Sequence, residues 1–267
     1  KGCRAVEDAE NAIDRYEDRL GTYLMKITGK ELSQRQSEEV SKYLHTISDF
    51  ERISDHALNI CDAAREINAK SVVFSPEAER ELRTLEQAIT EILHLAVGAF
   101  VSGDLEAASR VEPLEEIVDG LCDEMKLHHV DRLQKGVCTL NQGFIFNDLL
   151  TNYERVADHC SNIAVAMIEL ESDSFDTHEY LNSVKAMKSA SFARYSAEYQ
   201  KKYTRNRGLF CFFPPLCRRV CGGKNFFKKF SQKKRIPGIL GVSIDITGIP
   251  AGQEVQPCRF PRAFWTS

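Results

Sequence analysis

Proline is almost missing from the first three quarters of this 267-residue chain: only Pro76 and Pro113 precede Pro214. Without proline to interrupt them, long helices can run there. No stretch approaches the roughly 18–20 uninterrupted apolar residues needed to cross a bilayer, so no membrane-spanning helix is expected. Cysteine is present nine times but never in a CxxC pair. Cys3, Cys61, Cys122, Cys138 and Cys160 stand singly in helical segments, as small buried hydrophobes of a reducing compartment do, rather than as a disulfide framework. A glycine-rich phosphate loop is lacking, and so is any Ser/His/Asp or Cys/His arrangement for nucleophilic catalysis. No enzyme activity is expected.

What the chain has in excess is acid, and only on one side of a boundary. Residues 204–267 hold 12 Lys/Arg against Asp245 and Glu254, whereas residues 1–203 hold 23 basic and 37 acidic residues. Six of the eight prolines also lie beyond 203. The reading is therefore an acidic helical region followed by an irregular basic tail. Within the first region, apolar periodicity and capping residues predict six helices. The first runs to about Ile27 and is broken by Gly29. The second follows Ser33 and reaches about Ala69, and the third opens at Ser75-Pro76-Glu77 and reaches about Val101. A fourth is capped by Asp104 and ends near Leu133, a fifth covers about Asn141 to Leu170, and Asp176 opens a sixth that ends near Tyr203. The opening of the chain at Lys1, already within helical pattern, suggests a fragment of a longer protein.

The plan repeats in residues as well as in layout. Asp49-Phe50-Glu51-Arg52-Ile53-Ser54-Asp55-His56-Ala57-Leu58-Asn59-Ile60 aligns with Asn152-Tyr153-Glu154-Arg155-Val156-Ala157-Asp158-His159-Cys160-Ser161-Asn162-Ile163, with six of twelve positions identical at an offset of 103. Val6, Glu10, Ile13 and Asp14 match Val111, Glu115, Val118 and Asp119 at an offset of 105. The expected fold is all-α: two tandem antiparallel three-helix bundles, 1–103 and 104–203, with the tail 204–267 outside them.

Each repeat carries two acid pairs at four-residue spacing, so each pair stacks on one helix face. Glu51 and Asp55 continue the apolar step of Val40, Leu44 and Ile47, and Glu154 and Asp158 do the same after Leu150. Glu10/Asp14 and Glu115/Asp119 flank apolar stripes through Val6, Ile13 and Leu20, and through Val111, Val118 and Met125. Acids in register with a core stripe are expected to face inward. Two like charges at ~4 Å repel by about 4 kcal/mol at an effective dielectric of ~20. Four in one bundle call for protons or cations, and all-oxygen clusters suit Mg²⁺, Mn²⁺, Ca²⁺ or bridged iron. His56 and His159 are candidates to add a nitrogen or to hold the ligands from behind, and Asn59 and Asn162 to satisfy buried polar groups. The plainer account is a solvated face on which Arg52 and Arg155 pair with the acids for little energy. A di-iron enzyme of the ferritin-like kind would need Glu-x-x-His. Here Ser54 and Ala157 stand at that spacing instead.

Paired Glu-Arg-Ile/Val-x-Asp-His-x-x-Asn-Ile segments in a tandem helical repeat resemble the PhoU family. The second copy, Asp148 to Ile163, looks most like the PhoU-like region that follows the membrane domain of bacterial sodium/phosphate cotransporters. The resemblance covers residues 1–203. It implies a cytoplasmic, metal-binding regulatory domain of a sodium-dependent phosphate transporter, seated at the inner face of the cell membrane. The alternative it leaves is a free-standing adaptor that represses phosphate-starvation signalling. It further implies multinuclear iron, zinc or manganese held by Glu10, Asp14, Glu51, Asp55, Glu115, Asp119, Glu154 and Asp158. The implied partners are a transporter membrane domain encoded upstream of Lys1, inorganic phosphate through the metal, and a second copy in a homo-oligomer.

The tail departs from that resemblance. Cys211, Cys217, Cys221 and Cys258 are too widely spaced for a zinc ribbon, and the basic run Lys224–Arg235 is not taken as a nucleic-acid site. The tail is expected to be either disordered or translated out of frame. Sequencing the gene across the codons for Tyr203–Gly208 should then show a frame change; an uninterrupted frame with homologous tails would discard that explanation.

Overall fold

The computed structural model describes residues 2–171 and 190–204. The chain divides into two units, Lys1–Lys224 and Asn225–Ser267, and every described residue lies in the first. The helices are α1 (Gly2–Thr28), α2 (Gln34–Ala69), α3 (Pro76–Ser102), α4 (Leu105–Ser109), α5 (Val111–Gln134), α6 (Leu140–Glu171) and α7 (Ala190–Tyr203). No strand occurs among the described residues, and the all-α class is as expected. No helix there is long and apolar enough to cross a membrane. The expected cap at Asp176, the start of the sixth helix and nearly all of the tail lie outside the described residues.

Local chemistry sets the helix ends. Ser33 Oγ accepts from Gln36 N while Gln36 Oε1 accepts from Ser33 N, which closes a capping box at the start of α2. Ser75 Oγ accepts from Ala78 N ahead of Pro76, and α3 ends on Gly103, whose φ of 71° is open to glycine at little cost. Thr139 and Gln142 make the second capping box, at α6. The fourth helix expected from Asp104 to Leu133 is in fact two, broken at Arg110. Pro113 is the reason: it has no N–H to donate to the carbonyl of Ser109, and its ring crowds that carbonyl.

Helices α1 and α2 are antiparallel, joined by an ion pair between Glu7 and Arg65. Along its other side α2 lies on α6. Helix α3 packs on α5 and α6, and its Phe100 also meets Phe50 of α2 edge-on, with ring centroids 5.0 Å apart. The buried ion pair of Arg132 with Glu81 (2.8 Å) and the His128 Nδ1 contact with Glu81 (2.7 Å) fasten α5 to α3. Helix α7 closes over α5, with Arg110 Nε donating to Tyr199 Oη at 3.3 Å. One continuous core results, running from Ile60 through α3, α5 and α6 to Tyr203. Leu85, Ile92, Leu114, Leu150 and Ile163 are wholly buried in the unit, each worth about 1.5–3 kcal/mol relative to exposure. Of the five cysteines among the described residues, Cys61, Cys122 and Cys160 are buried, Cys3 and Cys138 are half-buried, and all five are free thiols.

At Gly143, α6 runs close against the His129 side chain of α5. A Cβ built there would stand 2.4 Å from His129 Nε2, and that ring is stacked on Phe146 with centroids 5.3 Å apart. Gly143→Ala should therefore lower stability by about 1–3 kcal/mol through overpacking. Urea denaturation should show the loss, and His129→Ala in the same chain should recover part of it. Strict additivity of the two changes would argue against the clash.

Candidate metal site

The site grows from two neighbouring antiparallel helices. Glu115 and Asp119 stack one turn apart on α5, and Asp158 reaches them from α6. One ligand atom from each of these three residues lies within 4.8 Å of the others. Full charges at that spacing repel by roughly 3 kcal/mol per pair at an effective dielectric of ~20. The repulsion is visible in Asp119, whose carboxyl is pushed up to about 6, mainly by burial and then by the charges of Asp158, Glu154 and Asp123. A hydrogen bond with Glu115 works the other way without offsetting them. Asp119 Oδ1 is buried without a hydrogen-bond partner, a state that a bound cation would relieve.

Two cations already sit at the edges of the cluster. Lys126 Nζ lies 2.8 Å from Glu154 Oε2 and 3.5 Å from Asp123 Oδ1. Arg155 Nη1 lies 2.9 Å from Asp158 Oδ2. Lys126 was not among the sequence candidates, although it stands seven residues beyond Asp119 and so returns to the same helix face. At the other end of the seam, Ser161 donates to Glu112. The nearby Cys122 thiol is pushed up to about 12 by burial and donates to the Leu150 carbonyl, so it offers no thiolate. The donor set is oxygen only, which suits hard cations.

The first repeat is arranged differently. Burial, then Asp55, then Glu17 raise the Glu51 carboxyl above its ordinary range, against a lowering by Arg52. Glu17 was also missed from sequence. Glu10 is half-buried, while Asp14 and Asp55 are exposed. Among the described residues, only the second repeat brings three carboxylates into ligand distance.

The two histidines lie between the repeats. His159 Nδ1 donates to Asp49 Oδ1 at 2.9 Å, and His56 Nδ1 lies 2.9 Å from Asn152 Oδ1. Asn152 Nδ2 donates to the Asp148 carbonyl, which leaves its Oδ1 to accept from His56. Asp49 and Asn152 are matched positions of the repeat, as are His56 and His159, so the two bonds are related by approximate two-fold symmetry. The rings stack with centroids 5.6 Å apart. Asn162 Nδ2 adds a bond to Asp49 Oδ1 at 3.2 Å. Asn59 lines an open groove between α2 and α6 with Asp62, Glu66, Asp148 and Asn152.

Comparison with known proteins identifies the family of the chain. The PhoU domain profile matches residues 1–64 and 82–167, more than half of the chain, and the chain belongs to the PhoU domain family. It is 24% identical over 149 residues to the phosphate-specific transport system accessory protein PhoU homolog 1 of Thermotoga maritima, covering 54% of this chain and 63% of that protein. It is 25% identical over 165 residues to the PhoU homolog of Borreliella burgdorferi, covering 60% of this chain and 73% of that protein. Over 163 residues it is 25% identical to the putative inorganic phosphate export protein YjbB of Escherichia coli K12, covering 59% of this chain but only 30% of that longer protein.

The raised Asp119 has a consequence for stability. In metal-stripped protein the folded state holds this proton more tightly than the unfolded state. The stability that this proton contributes should thus be full below pH ~4 and be lost as pH rises through ~6. Asp119→Asn should abolish that fall and stabilise the stripped protein at pH 7 by roughly 1–2 kcal/mol. Urea titrations at pH 4 and pH 7 check this; a variant equally stabilised at both would contradict it.

Proposed function

We propose that this PhoU-domain chain is a regulatory module of phosphate transport, and that the α5/α6 acid seam is its metal site. The convergence of Glu115, Asp119 and Asp158 around a buried, unpartnered Asp119 oxygen carries the reading. Glu154 would join them once Lys126 swings aside. Manganese or iron fits these hard oxygens better than zinc does, because among the described residues Glu115, Asp119 and Asp158 converge without a histidine nitrogen or a cysteine sulfur. A bound multivalent cation would supply open coordination positions for phosphate oxygens. The chain's own residues hold the charge: Glu115 and Asp158 flank Asp119, and Arg155 steadies Asp158.

The relatives support a role beside a transporter, because two carry names of phosphate-transport accessory proteins and one of a phosphate exporter. The preferred form is a cytoplasmic domain on the inner face of the membrane, fused to the membrane part of a sodium-dependent transporter. A free-standing adaptor is the second reading, favoured by the fuller coverage of the PhoU homologs. No reaction is assigned to the module.

Metal analysis of the purified chain, with Mn²⁺ titration by calorimetry, tests the site. Asp119→Ala and Asp158→Ala should each lower affinity at least tenfold, while Asp14→Ala should change it less than twofold. Unchanged metal content in both second-repeat variants would remove the reading.

A further inference from the structure

Five of the ten large hydrophobic side chains that stand exposed among the described residues fall in one hairpin, α5 and α6 with their connecting turn: Leu127, Val130, Val137, Leu140 and Phe144. Soluble proteins scatter such residues singly, and a concentration of them marks a contact surface. Helix geometry says which of them share a side. His129 of α5 faces Gly143 of α6, so each of these two positions points at the other helix. Val130 stands about 100° round from His129, and Phe144 and Leu140 stand about 100° and about 60° round from Gly143. Because the two helices run in opposite directions, these rotations carry all three side chains to the same side of the hairpin. Rotation the other way from His129 leads to His128 and Arg132, which meet Glu81 of α3. The stripe therefore lies away from α3, with Val130 50%, Leu140 70% and Phe144 74% exposed.

That side of α6 also has an acidic flank. Helix α2 runs antiparallel along the other edge of α6, with Lys70 Nζ 3.4 Å from Asn141 Oδ1 and His56 Nδ1 2.9 Å from Asn152 Oδ1. This register sets Glu66 level with Phe144, one helix over. The open groove between α2 and α6 holds Asp62, Glu66 and Asp148. Thr151, seven residues after Phe144 and so on the same face, lines it too. Its cations do not balance its acids. Arg65 is shared between Asp62 and Glu7 of α1, and Lys70 pairs with Glu66 at 2.5 Å. Four carboxylates thus stand against two cations, and the neighbour of the Asp148 carboxylate is a neutral one, Asn152 Nδ2 at 3.4 Å.

We propose that this face is a docking surface for a basic amphipathic helix of a partner protein. The apolar stripe of that helix would cover Val130, Leu140 and Phe144, while Lys or Arg on one flank meets Glu66, Asp62 and Asp148. Packed helix axes lie about 8–10 Å apart, and a helix with its side chains is about 10–12 Å across. One helix laid along α6 therefore touches the apolar stripe and the acidic flank together. Apolar contact supplies the affinity in recognition of this kind, and charge sets orientation and excludes wrong partners. Charge also selects among occupants. A second copy of this chain brings the same acidic flank, with 37 acidic against 23 basic residues over 1–203, and an anionic lipid surface is repelled in the same way. The proposal holds whether or not the α5/α6 seam binds metal.

Fluorescence anisotropy of the full chain with two labelled probe peptides tests it. One peptide, of about eighteen residues, carries Leu at i, i+3, i+4 and i+7 and Lys elsewhere; the other is the same composition scrambled. The patterned peptide should bind in the micromolar range. Leu140→Ser with Phe144→Ser should weaken it roughly tenfold, and Glu66→Gln with Asp148→Asn roughly fivefold at low salt. Met25→Ser, which removes an exposed apolar side chain on α1, should leave binding unchanged. All these side chains are outside the core, and unaltered urea midpoints show that the variants fold. Absence of micromolar binding overturns the proposal, as does equal binding of the scrambled peptide or an affinity unmoved in either double variant. Self-association lost in Leu140→Ser with Phe144→Ser would give the face to a second copy, and adsorption to phosphatidylcholine vesicles lost in that variant would give it to a membrane; either result overturns the proposal.

Discussion

The crossed contact between α2 and α6 is the constraint on which the remaining geometry depends. Two imidazoles stack at the crossing, and each reaches over to the side chain that stands one repeat away from its twin's partner. His56 follows Asp55 and His159 follows Asp158 in sequence, so the same bonds that hold the helices together set the rotation of both acid-bearing faces. A helix turned by even one residue, about 100°, would carry Glu154 and Asp158 off the seam they share with α5.

Against that scaffold the acids of the second repeat are costly. Three carboxylates at mutual ligand distance, one of them raised to about 6, are a local weakness in the stripped protein. Lys126 and Arg155 temper it from the rim. Such an arrangement trades folding stability for the capacity to bind charge, a common sign of a working site. The ion pair of Arg132 and Glu81 is of another kind: it pairs opposite charges and ties α5 to α3.

Duplication explains the architecture, but the copies have diverged. The second repeat buries its aliphatic stripes under α3 and α7, and its seam is tight. In the first, among the described residues, α1 packs chiefly on α2, Tyr16 and Tyr23 are exposed, and Asp14 and Asp55 are in solvent.

Much was legible from the chain alone. Ser33 and Ser75 opened their helices, and Gly29 followed the end of the first, where expected, since such signals act over three or four residues and need no tertiary partner. The Glu-Arg-x-x-Asp-His repeats marked both acid-bearing helices and led to the right family. The interruption at Arg110 was visible in Pro113 but outweighed by the apolar period around it. Lys126 and Glu17 went unnoticed because a single charged residue on a helix carries no signal until its neighbours are known. Local sequence, then, determined the helical class, the helix ends and the acid pairs, all of which depend on contacts within a turn or two. Only the tertiary structure decided which helices share a core, that the histidines join the repeats, and that the second seam closes while the first stays open. Those outcomes depend on which faces meet across the fold, and spacing along a single helix does not encode the neighbour it will find.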